Sequence, residues 1–213
     1  LAGVALGPAT RPVSTVSITA NASASADEAN TATTNFTFNV QRTGDTTQPA
    51  NVDWTLVGSG ANPADAADFF GGVLPFGTVS FIAGVANQTI TVQVNGDTTV
   101  EMDEAFTVAL SNPVGPVGIV TATADGLIVN NDSEISIAPT DAIHDEGDTG
   151  TTAFTFTVTR IGDTRAAANT TVRYTVNGSG ATPANQTDIA SPTLGNLTSL
   201  AFGVGETTKV ITV

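Results

Sequence analysis

Residues 27–46, DEANTATTNFTFNVQRTGDT, return in slightly altered form as residues 145–164, DEGDTGTTAFTFTVTRIGDT, 118 positions later. In the first copy Phe36, Phe38 and Val40 alternate with polar residues, which predicts a β-strand with one buried side. The GDT that follows supplies the glycine and aspartate of a turn. The chain therefore repeats a strand-and-turn unit, and the fold of one copy applies to the other.

The two copies agree over most of a domain. Residues 49–69, PANVDWTLVGSGANPADAADF, match residues 170–189, TTVRYTVNGSGATPANQTDI, and residues 79–92, VSFIAGVANQTITV, match residues 200–213, LAFGVGETTKVITV. Each segment alternates apolar and polar residues or is rich in Gly, Pro and Asp, as strands and the loops between them are. We predict an all-β chain.

The copies differ in how far they extend. The first continues through an acidic stretch, a strand-like AFTVAL and a closing strand IVTATADGLIVNND, whereas the second match stops at Val213. We therefore predict a first domain at residues 16–132 and a second at residues 133–213 that lacks its last two strands. Residues 1–15 are predicted to be a tail or a donor strand, since LAGVALGPATRPV is small, apolar and interrupted by proline.

The acidic stretch, residues 95–106, reads NGDTTVEMDEAF and carries Asp97, Glu101, Asp103 and Glu104. No Lys or Arg lies between residues 42 and 160 to neutralise it. Two carboxylates about 4 Å apart repel by roughly 1 kcal/mol in water and roughly 4 kcal/mol at an effective dielectric constant of 20. Hard divalent cations such as Ca²⁺ accept carboxylate oxygens as ligands. The stretch is therefore a candidate calcium site, and the alternative is a solvated acidic loop.

Composition excludes several classes of function. The formal charge of -14, from 20 acidic against six basic residues, excludes a phosphate-binding surface, so no nucleic-acid partner is expected, and it argues against an anionic membrane. No apolar run is long enough for a membrane span, and direct membrane insertion is not expected. The absence of cysteine fits the cytosol, but also surface proteins that rely on calcium instead of disulfides. Because residue 1 is Leu, we interpret the chain as an internal or processed piece of a longer protein.

Catalysis is not expected from this composition. One His, one Lys and no Cys leave no Ser/His/Asp triad, lysine base or thiol nucleophile. Paired carboxylates can hydrolyse glycosides, but the aromatic residues are mainly Phe at alternating core positions. We predict a non-enzymatic protein.

The motifs, taken in order, resemble those of the Calx-β domain. They are DEG-x-TG-TT-FTFTVTR-GD, then GSGA-P-A-D, then F-x-x-G-E-TT-K-ITV, and finally GDTTVE-DE-F-V-L followed by NND. The resemblance covers one complete copy and one incomplete copy. It implies two tandem immunoglobulin-like β-sandwiches, with Ca²⁺ bound at one end by acids from loops and from the final strand.

The same resemblance implies which residues bind the metal. In the second domain only Glu146 and Asp188 match ligand positions, so a partial site is expected there. In the first domain the implied ligands are Glu28, Asp68, Asp97, Glu101, Asp103, Glu104 and Asp132.

Two functions follow as hypotheses. The first is a calcium-binding structural or adhesive segment of a large secreted or cell-surface protein, in which Ca²⁺ stiffens the sandwich end and the short joint Asp132, Ser133 and Glu134. Its partners would be further repeats or copies of the same protein and a cell-surface or matrix polymer. The alternative is a subunit of an extracellular filament or surface layer, in which neighbouring chains donate β-strands and residues 1–13 are the donor.

Four other residues have structural interpretations. Asp45 and Asp163 are predicted to stabilise their turns through side-chain to backbone hydrogen bonds. Trp54 is predicted to lie in the core. His144, next to two acids, is interpreted as an exposed histidine and not as a metal ligand.

Overall fold

The computed structural model describes residues 13–165 and 170–213. Apart from one short 3-10 helix, Ala22–Ala24, its regular structure is β-strand, so the predicted all-β class is confirmed. No helix in these two ranges is long and apolar enough to cross a membrane. The chain forms two compact units, one running to Thr98 and resuming at Met102–Asn130, the other comprising Thr99–Glu101 and Asn131–Val213. The predicted tail falls largely on residues 1–12, which lie outside the described ranges.

The first unit is a β-sandwich of two sheets. Its strands are β1 (Ser14–Ala20), β2 (Ser25–Asp27), β3 (Thr33–Thr43), β4 (Ala50–Ser59), β5 (Phe76–Phe81), β6 (Asn87–Asn95), β7 (Glu104–Val114), β8 (Val117–Thr121) and β9 (Thr123–Val129). One sheet has four strands in the order β6-β3-β1-β8, and the other has five in the order β2-β9-β7-β4-β5.

The closing strand expected from IVTATADGLIVNND is divided in two. It breaks at Ala122, so β8 pairs in parallel with β1 in one sheet while β9 pairs with β7 and with β2 in the other. The first strand divides in the same way, into β1 and β2 around the 3-10 helix. The prediction of one continuous strand was therefore wrong, because this last segment of the first unit pairs with both sheets and no single extended strand can do so.

Phenylalanines fill the space between these sheets. Phe36 and Phe38 are fully buried, as their alternation predicted, and their rings lie 5.9 Å from that of Phe106. Phe69 completes the cluster, because its ring lies edge-on to that of Phe106 with the centroids 5.5 Å apart. A side chain at Gly126 would place its Cβ 2.3 Å from the Phe106 ring, so glycine is required there. Trp54 packs against this core but is only partly buried.

A buried arginine anchors the repeated turn to the sandwich through hydrogen bonds. Arg42 is 1% exposed, and its Nε donates to Ser14 Oγ at 2.8 Å. Its two terminal nitrogens donate to the carbonyls of Gln48 and Asp45, at 2.7 and 2.9 Å. The Asp45 side chain accepts the backbone N–H of Thr47 at 2.9 Å, which confirms its predicted role in the turn.

The second copy of the turn is built similarly. Asp163 Oδ1 accepts the backbone N–H of Arg165 at 2.7 Å, as predicted, and also Nε of Arg165 at 2.9 Å. Partial burial alone would raise the pKa of Asp163, but the hydrogen bonds from Arg165 and the charges of Arg165 and Arg160 outweigh it. The pKa therefore lies below its ordinary value of 3.8.

The second unit contains counterparts of only part of the first. Its strands are β10 (Ser133–Asp141), β11 (Thr155–Gly162), β12 (Thr170–Tyr174), β13 (Thr198–Phe202) and β14 (Thr208–Thr212). They form two sheets, in the orders β10-β11-β14 and β12-β13. These correspond to β1, β3, β4, β5 and β6. Within the described ranges there is no counterpart of β7, β8 or β9, the region predicted to be lacking.

The core of the second unit is correspondingly small. Val158, Phe202 and Ile211 are buried. Phe154 and Phe156, the counterparts of Phe36 and Phe38, are only half-buried. The difference follows from the absence, among the residues described, of a strand equivalent to β7 to cover them.

Candidate metal centre

The loop between β4 and β5 presents Asp68 in a fixed conformation. The next residue, Phe69, is fully buried and anchors the loop to the core. Asp68 Oδ2 accepts the backbone N–H of Asp65 at 2.5 Å, and the carbonyl of Asp68 accepts the N–H of Asn95 at 2.7 Å. The Asn95 side-chain amide donates to the carbonyls of Ala67 and Phe69, at 2.7 and 2.9 Å. Asn95 therefore positions Asp68.

Three of the predicted ligands come together at this loop. The side-chain oxygens of Asp68, Glu101 and Glu104 lie within 4.8 Å of one another. Asp68 and Glu104 are half-buried and Glu101 is exposed. Glu104 is the first residue of β7, only two positions before Phe106, so packing of that ring also positions the carboxylate. We name Asp68, Glu101 and Glu104 the carboxylate group.

The chemistry of this group suits a hard cation. Carboxylate oxygens are the ligands that Ca²⁺ prefers, whereas sites for softer metals use imidazole or thiolate. Three negative charges this close repel one another unless they are neutralised. No Lys or Arg lies near these acids in the sequence to neutralise them. The residues present therefore fit Ca²⁺.

Glu28 and Asp132 are each buried to 5% exposure. The backbone of Glu28 bonds to Val129 and Thr34, at 3.2 and 2.7 Å. Gly96 passes so close that a Cβ there would lie 2.4 Å from the Ala29 carbonyl. The loop bearing Glu28 is thus held against the start of the acidic stretch.

Asp97 and Asp103 are exposed. Asp103 Oδ1 accepts the backbone N–H of Asn130 at 3.1 Å, so it supports the chain after β9. In the described part of the chain, the carboxylate group does not include Glu28, Asp97, Asp103 or Asp132. Their role as ligands stays a prediction.

In the second unit Glu146 and Asp188 repeat the local geometry of their counterparts. The carbonyl of Glu146 accepts Thr152 Oγ1 at 3.0 Å, as that of Glu28 accepts Thr34. Asp188 Oδ2 accepts the N–H of Asn185 at 2.8 Å, as Asp68 accepts that of Asp65. Both acids are exposed and line an open cavity of about 1060 Å³. Their partial metal site stays a prediction.

His144 contacts two neighbouring residues. Its Nε2 lies 2.8 Å from Asp141 Oδ1, and its ring lies edge-on to that of Phe154, with the centroids 5.3 Å apart.

Sequence reasoning missed the positioning role of Asn95. The only available signal was its place at the end of the alternating β6 pattern, which cannot show what its amide contacts.

Comparison with known proteins agrees with this fold. The family model of the Calx-beta domain matches residues 14–132. No curated protein sequence matches significantly. Among solved structures, the crystal structure of CBD12 from CALX1.2 aligns with 93% of this chain and 73% of its own, at 22% identity and a TM-score of 0.51.

Two further structures are similar. The calcium binding domain CBD12 of CALX1.1 aligns with 89% of this chain and 71% of its own, at 24% identity and a TM-score of 0.47. The apo-form Calx CBD1 domain aligns with 56% of this chain and 99% of its own, at 23% identity and a TM-score of 0.47. The family match covers more than half of the chain and contains the carboxylate group. The chain belongs to the Calx-β domain family.

Proposed function

We propose that this chain is a calcium-binding, non-catalytic repeat segment with a structural or adhesive role in a secreted or cell-surface protein. The carboxylate group of Asp68, Glu101 and Glu104 carries this proposal, because three carboxylates whose oxygens lie within 4.8 Å of one another offer a hard cation the oxygen ligands that it prefers. These three residues would hold Ca²⁺, with Glu28, Asp97, Asp103 and Asp132 as the remaining predicted ligands. When bound, the ion neutralises the acidic end of the first domain.

We further propose that calcium stiffens the joint between the domains. The joint is short in sequence, because β9 ends at Val129 and β10 begins at Ser133. Asp132 belongs both to this joint and to the predicted ligand set, so ordering of Asp132 by the ion would restrict the joint. Further repeats, copies of the same protein and a surface polymer are the partners that fit an array of this kind.

Calorimetric titration with calcium tests the proposal. We expect saturable binding and a higher unfolding temperature for the first unit in calcium than in chelator, followed by the emission of Trp54, the only tryptophan. At calcium 100 times the dissociation constant, the stabilisation is about 2.7 kcal/mol. Small-angle scattering of the same samples should show a narrower distribution of shapes in calcium.

The Glu101→Gln, Glu104→Gln variant should lose both binding and the calcium effect. In chelator it should be at least as stable as the natural chain, because two repelling charges are gone. Asp53→Asn, Asp125→Asn is the matched control, since it changes the charge equally at acids that bond to Thr78 and Thr107 on strands. Unfolding that is indifferent to calcium and chelator would leave a solvated acidic loop and contradict the proposal.

A second candidate is assembly by strand donation in a filament or surface layer. Among the described residues β10 pairs only with β11, whereas its counterpart β1 pairs with both β3 and β8. An unpaired strand edge is a template for another strand. The small apolar residues 1–13 resemble β8, VGIVT, in lacking aromatic side chains, so they suit this edge.

This candidate predicts concentration-dependent association that requires the tail. In sedimentation, the full chain should form larger species as its concentration rises, and a chain starting at Ser14 should stay monomeric. Equal behaviour of the two chains would rule out the tail as donor.

A further inference from the structure

The outer face of the five-stranded sheet of the first unit carries an exposed phenylalanine. Phe76, at the start of β5, is 77% exposed, although most phenylalanines of this unit are buried. It lies opposite Thr55 of β4 in the sheet. Val57, two residues further along the same face of β4, is 50% exposed. This part of the face is therefore an accessible apolar surface with a single aromatic ring.

A hydrogen-bonded carboxylate lies beside this ring on the same face. Thr78, two residues after Phe76, donates its hydroxyl to Asp53 Oδ1 at 2.7 Å. Asn112 of β7 donates its side-chain amide to Asp53 Oδ2 at 3.2 Å. Each carboxylate oxygen can accept more than one hydrogen bond. Asp53 is therefore held in place and can still accept hydrogen bonds from a ligand.

β7 is irregular at the residue that holds Asp53. Its register with β4 shifts between Asn51 and Asp53, and Asn112 has a φ of 46°. This left-handed conformation is uncommon for residues other than glycine, although asparagine tolerates it better than most. Irregular pairing of this kind redirects a side chain. The strand thus departs from regular pairing where it directs the Asn112 amide to the carboxylate.

The second unit repeats the strand pair without these side chains. By the repeat, Leu197 takes the place of Phe76. Arg173 takes the place of Asp53, and β12 nevertheless pairs with β13 as β4 pairs with β5. The pairing of these strands therefore requires neither the aromatic ring nor the carboxylate.

We propose that this face of the first unit binds a neutral polysaccharide. The Phe76 ring packs against the apolar face of a sugar, and Asp53 accepts hydrogen bonds from its hydroxyl groups. A pyranose ring presents C–H groups on its faces and hydroxyls around its rim, so it matches an aromatic ring beside a carboxylate. Asp125 is a second acid on this face, and the five strands contain no basic residue, so an anionic polymer would be repelled.

This inference rests on the structural or adhesive role proposed above, because it names the chemistry of the surface polymer. It does not involve the carboxylate group that would bind calcium. Polymer binding is therefore expected in chelator as well as in calcium. Loss of one activity with retention of the other would show which of the two proposals fails.

Affinity electrophoresis of the full chain, in native gels that contain a soluble polymer and chelator, tests the inference. The neutral probes are a β-glucan, a galactomannan and dextran, and polygalacturonate is the anionic probe. We expect at least one neutral polymer to retard the chain and polygalacturonate not to retard it. Phe76→Ala should raise the dissociation constant at least about tenfold, because the contact with the ring is lost.

Phe70→Ala is the matched control. Phe70 is 65% exposed in the same unit, but its backbone N–H bonds to Gln93 on β6, in the other sheet, so this truncation should leave retardation unchanged. Asp53→Ala should weaken binding at least about tenfold, because hydrogen bonds to a charged group are lost. The Trp54 emission of each variant shows that the first unit is folded.

Three results would overturn the inference: equal retardation of Phe76→Ala and the natural chain, retardation by polygalacturonate alone, or no retardation by any of the neutral polymers. Sedimentation of the chain without polymer supplies a further test. Self-association that Phe76→Ala abolishes would identify a second copy as the occupant of this face and would also overturn it.

Discussion

Replacing Phe106 by alanine should destabilise the first unit by about 3–5 kcal/mol. Phe106 is fully buried, and its ring contacts those of Phe36, Phe38 and Phe69. Because Gly126 has no side chain, the Phe106 ring occupies the space beside it. Alanine at position 106 would leave that space empty. Sheets on both sides limit how far the cavity can collapse. Urea unfolding followed by Trp54 emission measures the loss in the first unit.

Phe76→Ala is the matched control. Phe76 is 77% exposed on β5, in the same unit, so the same truncation there should change the free energy of unfolding by less than about 0.5 kcal/mol. Because Glu104 precedes Phe106 by two residues, Phe106→Ala should also weaken calcium binding. A loss of stability no larger than that of the control would show that β7 is not essential to the core.

Arg42→Met should destabilise the first unit by about 3 kcal/mol, because hydrogen bonds from a buried charged group are lost. Methionine keeps the apolar stem in the core but removes the donors to Ser14, Gln48 and Asp45. Hydrogen bonds to charged groups contribute roughly 1.5–3 kcal/mol each, and partly buried acceptors lose their partners without full access to water. Urea unfolding at neutral pH measures the effect.

Two arginine variants in the second unit serve as comparisons for Arg42→Met. Arg173→Ala removes an exposed positive charge and should leave the Trp54 transition unchanged. Arg160→Met, at the counterpart of Arg42, should cost less stability, because Arg160 Nε has no hydrogen-bond partner among the described residues. Two of the other hydrogen bonds of Arg160 are 3.2 and 3.4 Å long. Tyr174 is the only tyrosine, and its signal follows that unit. Equal losses for the two arginines would contradict this account.

Local pattern was enough to predict the strands and their repetition. The alternation of Phe36, Phe38 and Val40 follows directly from the two-residue period of a strand, and each of the three is buried. The turn aspartates acted as predicted because their partners lie two residues away. The acidic stretch was visible because four of its acids are close in sequence. The set of metal ligands expected in the first domain, by contrast, was implied by the resemblance to the Calx-β domain.

The tertiary structure decided everything that depends on partners distant in sequence. It divided the closing strand between the sheets at Ala122, since each half pairs with a different neighbour. Packing of Phe69 and Phe106, together with the amide of Asn95, brought Asp68 to Glu104. The order of residues records local periodicity, but which side chains meet depends on how the sheets pair and pack.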